Sequence, residues 1–340
     1  MTLTVLMPVY NAAAHLPEAL HSVLSQTLRD FELLVVDDGS TDASGEILSA
    51  CRDPRLRVVR FERNRGQTQA LNEGLRAASG ELVARQDADD VSAPDRLERQ
   101  AAFLRARPEV ALLGTQGLRV DARGRALEAL RRPCETAGIR WALLFDNAFL
   151  HSSVMFRKAA LLELGGYDGS FRYCQDFDLW SRVAGRHAVA NLSQTLLTNR
   201  AHAGSMTQTL MDHNLEENRR VVGRNLESLL ALAPSPEQVA LAARLHAGLA
   251  PGQVGPFLEL FEGLLARFTD RHPTAVTSAD FRRTVARQYA RLVMAARHRH
   301  PLVVARILSR GLRGYPLWRP TLRAVFEAAR SRVRAGSAPA

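Results

Sequence analysis

Apolar segments that end in clusters of carboxylates constrain the fold of this chain more than any other feature of its sequence. Residues 31–36 run directly into an acidic turn at residues 37–42, and residues 81–84 run into a second acidic turn at residues 87–90. In an open α/β sheet the ligand crevice lies beyond the carboxyl ends of the strands. Because carboxylates are costly to bury without a partner, the two clusters predict a divalent cation that carries a phosphorylated ligand.

Strand and helix patterns alternate along the first hundred residues. Apolar residues recur at helical spacing in residues 16–24 and 68–77, and residues 2–9 and 56–61 are predicted as further strands. This alternation is typical of βαβ units and predicts a mainly parallel sheet with helices on its faces. Residues 92–95 resemble a capping box with proline in the first turn of a helix.

The remainder of the chain changes from mixed strand and helix patterns to a helical pattern. Residues 110–115 and 118–120 predict two separate strands, and residues 177–184 predict a helix. Beyond Ser205 the pattern is helical, and residues 335–340 are expected to be disordered. The predicted organisation is therefore a catalytic α/β domain over residues 1–210, a helical basic region over residues 211–334, and a short terminal tail.

Composition narrows the possible classes of protein. A chain of 340 residues can bury a substantial core in more than one domain. It has no run of the ~18 apolar residues that a membrane-spanning helix needs, and it opens directly on a strand pattern, so a cytoplasmic location is the default expectation. The three cysteines are widely spaced, which predicts free thiols and neither disulfides nor a zinc site.

The positive charge of the chain is concentrated near its end. The net charge is +10, yet residues 281–340 contain fourteen arginines and one glutamate. This basic region could form an amphipathic surface for an anionic membrane, or it could only pack on the catalytic domain. No aromatic-interleaved basic patch or nucleic-acid motif appears, so nucleic acid is not an expected partner.

The ordered motifs of the chain resemble those of the family 2 glycosyltransferases of the GT-A fold, over roughly the first 210 residues. The motifs are Pro8-Val9-Tyr10-Asn11, residues 37–42, Asn64-Arg65-Gly66, Asp87-Ala88-Asp89-Asp90, Pro94-Asp95-Arg96-Leu97, His151-Ser152-Ser153-Val154-Met155-Phe156, Gly165-Gly166-Tyr167-Asp168, Gln175-Asp176-Phe177-Asp178-Leu179-Trp180 and Arg200-Ala201-His202. The resemblance implies a Rossmann-like mixed sheet flanked by helices, with a C-terminal helical region. It also implies a hexosyltransferase-type, metal-dependent enzyme that uses a nucleotide-diphosphate sugar.

The resemblance assigns the donor and cation residues one by one. Asp89, the last acid of the DxD motif, would reach the metal, and His202 would complete the metal site. The implied cofactor is Mn²⁺ or Mg²⁺, and an imidazole ligand suits manganese somewhat better. Asp87 would face the ribose side of the nucleotide. The base and the rest of the nucleotide would be contacted by Pro8, Tyr10, Asp38 and Arg65.

The catalytic base falls on Asp176 in the same comparison of motifs. The preceding position is usually glutamate in the family but is Gln175 here, which removes one negative charge from the acceptor side of the site. Asp178 cannot duplicate Asp176, because helix positions two apart point about 200° apart. A helix N-cap is the alternative role for Asp176.

These assignments imply an inverting transferase. The composition, the lack of a signal-peptide pattern and the basic region favour an enzyme that builds a bacterial surface polysaccharide or glycoconjugate. The acceptor would be a saccharide or a lipid-linked molecule, and the enzyme could lie at the inner face of the membrane. Two other interpretations stay open. One is a catalytically degenerate binding or scaffold subunit. The other is a sugar-1-phosphate nucleotidyltransferase, although residues 10–13 lack the glycine-rich turn that such an enzyme should carry after its first strand.

Overall fold

The computed structural model describes residues 2–201, 211–247 and 249–296. The chain folds into two compact units. Among the described residues, the first unit contains 2–139, 147–201 and 211–221, and the second contains 140–146, 222–247 and 249–296. The predictions for residues 335–340, for residues 297–334 of the basic region and for His202 lie outside the described residues.

The first unit is built on a mixed sheet whose strands alternate with helices. In chain order its elements are β1 Leu3–Val9, α1 Leu16–Leu24, β2 Glu32–Asp37, α2 Ser44–Ala50, β3 Leu56–Arg60, α3 Gln67–Ala77, β4 Leu82–Arg85, β5 Val91–Ser92, α4 Arg96–Ala106, β6 Val110–Val120, β7 Ala126–Leu130, α5 Thr136–Ala142, β8 Met155–Arg157, α6 Lys158–Glu163, α7 Gln175–Arg186 and β9 Ala188–Arg200. The predicted alternation over the first hundred residues is confirmed.

The strand order of the sheet is β3-β2-β1-β4-β8-β6-β9-β5, and β7 pairs with β6. Strands β3, β2, β1 and β4 are parallel, whereas β8 pairs antiparallel with both β4 and β6. In register, Val9 lies opposite Asp37, and Asp37 lies opposite Arg60. The carboxyl ends of the parallel strands therefore meet at one edge of the sheet, where both acidic turns follow.

Helices cover the two faces of this sheet because side chains alternate along each strand. One face of β1 packs with Leu16 and Leu20 of α1 and Leu97 of α4 in a single buried cluster. Leu6, on the opposite face of β1, lies against Gly74 of α3 so closely that an added Cβ would approach Leu6 Cδ1 to 2.1 Å. Strands β1, β2 and β4 are buried on both faces, which explains their largely continuous apolar sequences.

Two local predictions were wrong. Residues 110–120 form one continuous strand with register shifts against β9, not two strands. The capping box at residues 92–95 is absent: α4 begins after Asp95 without a side-chain cap, and Ser92 belongs to the short strand β5. The hydroxyl of Ser92 instead donates a hydrogen bond to Gln86 Oε1, with 2.6 Å between the oxygens. A tertiary partner has replaced the local one.

The second unit is helical in the part that the structure describes. Its helices are α8 Met211–Leu230, shared with the first unit, α9 Pro236–Ala242, α10 Arg244–Ala247, α11 Val254–Arg271 and α12 Ala279–Ala296. The ring of Trp141 packs edge-on against Phe145, Phe261 and Phe268 at centroid distances of 5.2–5.4 Å. Its Nε1–H donates to Gln288 Oε1 at 2.5 Å from nitrogen to oxygen. Among the described helices of the chain, none has the length and hydropathy to cross a bilayer.

Candidate active site

The turns after β1 and β2 are tied together at the carboxyl edge of the sheet. Asn11 adopts φ of 48° and accepts the Thr41 backbone N–H through Oδ1, with 2.9 Å between nitrogen and oxygen. The Asn11 N–H donates to Ser40 Oγ at 3.1 Å. Asparagine is one of the few residues that tolerate this left-handed conformation. Pro8 is buried at the end of β1, and Tyr10 leaves half of its surface, 49%, exposed beside this junction.

Asp38 and Arg65, both predicted to contact the nucleotide, are brought together. The buried Asp38 carboxylate accepts the backbone N–H groups of Arg65 and Gly66, at 2.7 and 2.9 Å from nitrogen to oxygen. The Arg65 guanidinium lies 4.5 Å from the centroid of the Phe61 ring, in a cation–π geometry. Asp38 thus holds the turn that carries Arg65, in addition to any contact with a ligand.

Gly39 permits this arrangement by letting two backbones approach each other. Its φ is +70°, and a Cβ there would lie 2.5 Å from the Arg63 carbonyl carbon. Gly124 has a similar φ of +77° but open space around it. Gly39→Ala should therefore lower the free energy of unfolding by about 3 kcal/mol, and Gly124→Ala by about 1 kcal/mol. Urea denaturation measures both values, and equal losses would show that the close approach at Gly39 has no energetic consequence.

The acidic turn after β4 gathers three carboxylates. Oxygens of Asp87, Asp89 and Asp90 all lie within 4.8 Å of one another. Burial, followed by repulsion from Asp87 and Asp89, raises the pKa of Asp90 from 3.8 to about 7. Burial also raises the pKa of Asp87, against the opposing charge of Arg85. A divalent cation would supply the positive charge that favours ionised Asp87 and Asp90, and carboxylate oxygens are the ligands that hard cations prefer. These residues therefore fit Mn²⁺ or Mg²⁺.

The buried side chains of Gln86 and Arg96 hold the acidic turn after β4 through hydrogen bonds. The Gln86 side-chain amide donates to the Asp90 carbonyl oxygen at 2.8 Å, and Gln86 Oε1 accepts from Arg96 Nη1 at 3.0 Å. The fully buried Arg96 guanidinium also donates to the backbone oxygens of Arg85 and Ser152, at 3.0 and 2.6 Å. Burial lowers the pKa of Arg96 to about 9. Arg96 therefore fixes the turn, a role that the sequence motif containing it did not reveal.

Arg85 connects the acidic turn with the predicted base. It is completely buried at the end of β4, and its guanidinium forms an ion pair with the Asp87 carboxylate. Its positive charge also lowers the pKa of both Asp176 and His151. The sequence signal that could have found it is an arginine at the end of an otherwise apolar strand. One buried cation thus lies near the carboxylates of both predicted halves of the site.

Asp176 is positioned by the start of α7. It is the second residue of this helix, whose N-cap is Cys174 rather than Asp176. Asn147 Nδ2 donates to Asp176 Oδ2, and the Phe177 backbone N–H donates to Asp176 Oδ1, both at 2.7 Å. Burial, as the largest effect, raises the pKa of Asp176 from 3.8 to about 6. A carboxylate with a raised pKa and some remaining exposure, 16% of its side chain, is suited to accept a proton.

Two aromatic residues that sequence reasoning did not assign to the site complete the surroundings of Asp176. His151 Nδ1 lies 3.9 Å from Asp176 Oδ2, and His151 Nε2 lies 3.3 Å from the Tyr167 hydroxyl. Burial, and to a smaller extent the positive charge of Arg85, lowers the pKa of His151 well below 6.5. The imidazole is therefore neutral at pH 7. Both residues stand in motifs of the resemblance, but neither spacing nor residue type placed them beside Asp176.

The neighbours of Asp176 along α7 have structural partners. Gln175 Nε2 donates to Gln67 Oε1 at 2.9 Å and so ties α7 to the start of α3. The buried Asp178 carboxylate pairs with Arg182, with 2.8 Å between Nη2 and Oδ2. The two aspartates of this helix therefore have different surroundings, as the helical period predicts.

His202, the second predicted metal ligand, lies outside the described residues. Strand β9, which leads to it, ends at Arg200, and Ala201 is the last residue described before the gap. The Arg200 backbone N–H and the Asn199 side-chain amide donate to Asp90 Oδ1, at 3.1 and 3.0 Å. The chain therefore leaves β9 next to the acidic turn, two residues before His202.

Comparison with known proteins identifies the family. The sequence model described as Glycosyl transferase family 2 matches residues 4–165. The amylovoran biosynthesis glycosyltransferase AmsE of Erwinia amylovora is 34% identical over 204 residues, which cover 58% of this chain and 76% of that protein. The O-antigen biosynthesis glycosyltransferase WbnJ of Escherichia coli is 30% identical over 218 residues, covering 62% of this chain and 83% of that protein.

A solved structure agrees on the fold. Residues 1–349 of S. aureus TarS, crystallised in complex with UDP-GlcNAc, superimpose with a TM-score of 0.58, covering 97% of this chain and 92% of that one. At 17% sequence identity this likeness shows the fold alone. The predicted GT-A architecture, a mixed sheet flanked by helices and followed by further helices, is confirmed. The chain belongs to the family 2 glycosyltransferases.

Proposed function

We propose that this glycosyltransferase is an inverting, metal-dependent enzyme that moves a sugar from a nucleotide diphosphate to an acceptor hydroxyl. The observation that carries the proposal is the position of the buried Arg85, which forms an ion pair with Asp87 and whose charge also lowers the pKa of Asp176. The acids suited to a cation and the acid suited to a base therefore belong to one site. A transferase of this type needs both groups at the same sugar.

Asp176 is the proposed base of the transfer step. It takes the proton of the acceptor hydroxyl while that oxygen forms a bond to C1 of the sugar. The bond from C1 to the diphosphate oxygen breaks, and the nucleotide diphosphate leaves with the electron pair. Because the acceptor attacks opposite the leaving group in a single displacement, an α-linked donor gives a β-linked product.

Asp89 and His202, with Asp87 and Asp90 beside Asp89, are the proposed holders of Mn²⁺ or Mg²⁺. The bound cation would neutralise charge on the departing diphosphate. Asp87 would also serve the ribose side of the nucleotide, Asp38 would contact its base, and Arg65 would approach the nucleotide. Pro8 and the exposed face of Tyr10 would line the same pocket.

The proposed acceptor is a saccharide or a lipid-linked molecule of a bacterial surface polysaccharide. Support comes from the relatives, whose names place them in amylovoran and O-antigen biosynthesis. Contact with an anionic membrane surface is also proposed. Arg283, Arg287 and Arg291 are exposed at intervals of four residues on α12, which places them along one face of that helix.

Vesicle binding tests the membrane proposal. Replacing Arg283, Arg287 and Arg291 by glutamine should weaken co-sedimentation with anionic vesicles, because each basic residue near such a surface contributes about 1 kcal/mol. Neutralising the exposed Arg76, Arg105 and Arg123 is the matched control and should change little. Equal binding by both triple variants, or none by the parent chain, would contradict membrane docking through α12.

A thermal-shift screen tests nucleotide and metal use together. We expect one of UDP, GDP, dTDP and CDP to stabilise the chain in Mn²⁺ but not in EDTA. A ligand at 100 times its Kd stabilises by about 2.7 kcal/mol. Stabilisation that survives EDTA would contradict metal dependence. Metal-dependent binding without turnover of any sugar carried by the selected nucleotide would favour the degenerate binding subunit.

The pH dependence of turnover should report Asp176. The base must be ionised, so turnover should fall about tenfold per pH unit below its pKa of about 6 and level off above it. Saturating donor and Mn²⁺ keep the acidic turn occupied during the measurement of kcat. A kcat that stays constant from pH 5 to pH 8 would contradict a carboxylate base with this pKa.

A further inference from the structure

One glutamate of α8 holds the loop that precedes the base-bearing helix. The Glu217 carboxylate accepts three consecutive backbone N–H groups, those of Arg172, Tyr173 and Cys174, at nitrogen–oxygen distances of 2.8, 2.7 and 2.8 Å. Hydrogen bonds to an ionised acceptor are roughly twice as strong as neutral ones. Three of them on successive residues fix both the position and the orientation of this backbone.

The next turn of α8 reinforces the same loop. Arg220, three residues after Glu217, places its guanidinium carbon 4.3 Å from the centroid of the Phe171 ring. Its Nη2 donates to Ser170 Oγ at 3.0 Å. A second helix also contacts the loop: the Thr68 hydroxyl of α3 donates to the Phe171 carbonyl oxygen at 3.1 Å. The loop is therefore held between α3 and α8, within the first unit of the chain.

This loop decides where Asp176 stands. Helix α7 begins at Gln175, and its N-cap residue, Cys174, makes no side-chain cap. Free N–H groups at a helix start are normally satisfied by a local polar side chain. Here an anion from a distant helix binds the N–H groups that lead into the helix start, where negative charge is favoured. Asp176 follows Cys174 by two residues, so movement of the loop would displace its carboxylate.

We propose that Glu217 is a positioning residue of the transfer reaction, acting through the backbone of residues 172–174 to fix Asp176 against the acceptor hydroxyl. The inference rests on the proposed role of Asp176 as the base. It assigns to α8 a part in the chemistry that the motifs of the sequence do not mark.

Glu217→Gln and Glu216→Gln form a matched pair of variants. Both remove one charge from the same turn of α8, but the exposed Glu216 pairs only with Arg219, at 3.4 Å, among the contacts described for it. Amide hydrogen exchange of a peptide covering residues 171–178 measures the loop without requiring activity. Exchange should be faster in Glu217→Gln than in the parent chain, and unchanged in Glu216→Gln. Unchanged exchange in Glu217→Gln would overturn the inference, whatever the activity of the parent.

Turnover tests the catalytic consequence, with the donor selected in the nucleotide screen. Because a displacement of about 1 Å can cost 10²-fold, kcat should fall about 10- to 100-fold in Glu217→Gln, with the donor KM nearly unchanged. In the background of Asp176→Asn the same substitution should have almost no further effect, since the two residues act as a unit. Arg220→Gln should give a smaller loss of the same kind.

The outcomes separate this inference from the proposed function. If the parent chain turns over no donor, the proposed function fails. Hydrogen exchange still reports whether Glu217 holds the backbone of residues 172–174. If exchange rises but kcat stays at the parent value, Glu217 only stabilises the loop, and the inference is wrong. An equal loss of kcat in the presence and absence of Asp176 would also overturn it.

Discussion

Asp176→Asn should lower kcat about 10²–10⁴-fold, the usual contribution of a positioned acid or base. Asparagine has nearly the same shape and can still accept from Asn147, but it cannot take a proton from the acceptor. Donor affinity should change little, because the lost interaction belongs to the transition state. Steady-state kinetics and equilibrium binding of the nucleotide diphosphate measure the two quantities separately. Transfer at the parent rate would place the base elsewhere.

The melting temperature of Asp176→Asn should not fall, in contrast to its kcat. A carboxyl whose pKa is raised in the folded chain from 3.8 to about 6 binds its proton more tightly when folded. Its ionisation therefore destabilises the fold as the pH rises from about 4 to 6, by an amount on the order of 3 kcal/mol at pH 7. Asp176→Asn removes this cost but also loses the bond from the Phe177 N–H, so the melting temperature at pH 7.5 should be equal to or above that of the parent.

Asp178→Asn is the matched control on the same helix. Asp178 is buried and paired with Arg182, so its replacement should lower the free energy of unfolding by about 1–3 kcal/mol. Turnover per folded molecule should stay near the parent value. Asp176→Asn should therefore lower kcat without loss of stability, whereas Asp178→Asn should lower stability without loss of kcat. A stability loss in Asp176→Asn with retained turnover would support a purely structural role for Asp176.

Asp89→Ala should abolish the Mn²⁺-dependent part of nucleotide-diphosphate binding. Loss of partners that only orient metal ligands already costs about 10–100-fold in metal affinity or activity, so removal of a ligand should cost at least as much. Titration calorimetry in Mn²⁺ and in EDTA measures the effect with the nucleotide chosen by the thermal-shift screen. Asp30→Ala, at an exposed acid far along the sequence, is the control and should bind as the parent does. Metal-dependent binding of undiminished strength in Asp89→Ala would remove Asp89 from the metal site.

The elements around the site could be predicted because the helices show a clear apolar period and the central strands are short, continuous apolar runs. The helix at Leu16–Leu24 follows from apolar spacing, the strand at Glu32–Asp37 follows from its apolar run, and the acidic turns mark the ends of strands. The capping box failed because Ser92 has a tertiary partner in Gln86, which is a contact that local sequence does not specify. Strand β7, Ala126–Leu130, was missed because four of its five residues are exposed and show no alternation.

The residues of the candidate site also differ in how far sequence could predict them. Residues within one turn, such as Asp87, Asp89 and Asp90, could be grouped from sequence because they are neighbours along the chain. The surroundings of Asp176 could not, because Asn147 and His151 come from one connecting segment and Tyr167 from another, and both meet α7 only in the folded chain. Arg85 and Arg96 stand out in sequence as charged residues next to the acidic turn. Their burial, and therefore their function as fixed internal cations, is visible only in three dimensions.

The anomeric configuration of the product tests the central proposal most directly. With an α-linked donor of the selected nucleotide, the one-bond coupling between C1 and H1 in the NMR spectrum distinguishes the two possible linkages. A single displacement with Asp176 as the base of the acceptor predicts a β-linked product from the parent chain, and only trace amounts from Asp176→Asn. An α-linked product would require a different mechanism and would contradict the assignment of Asp176.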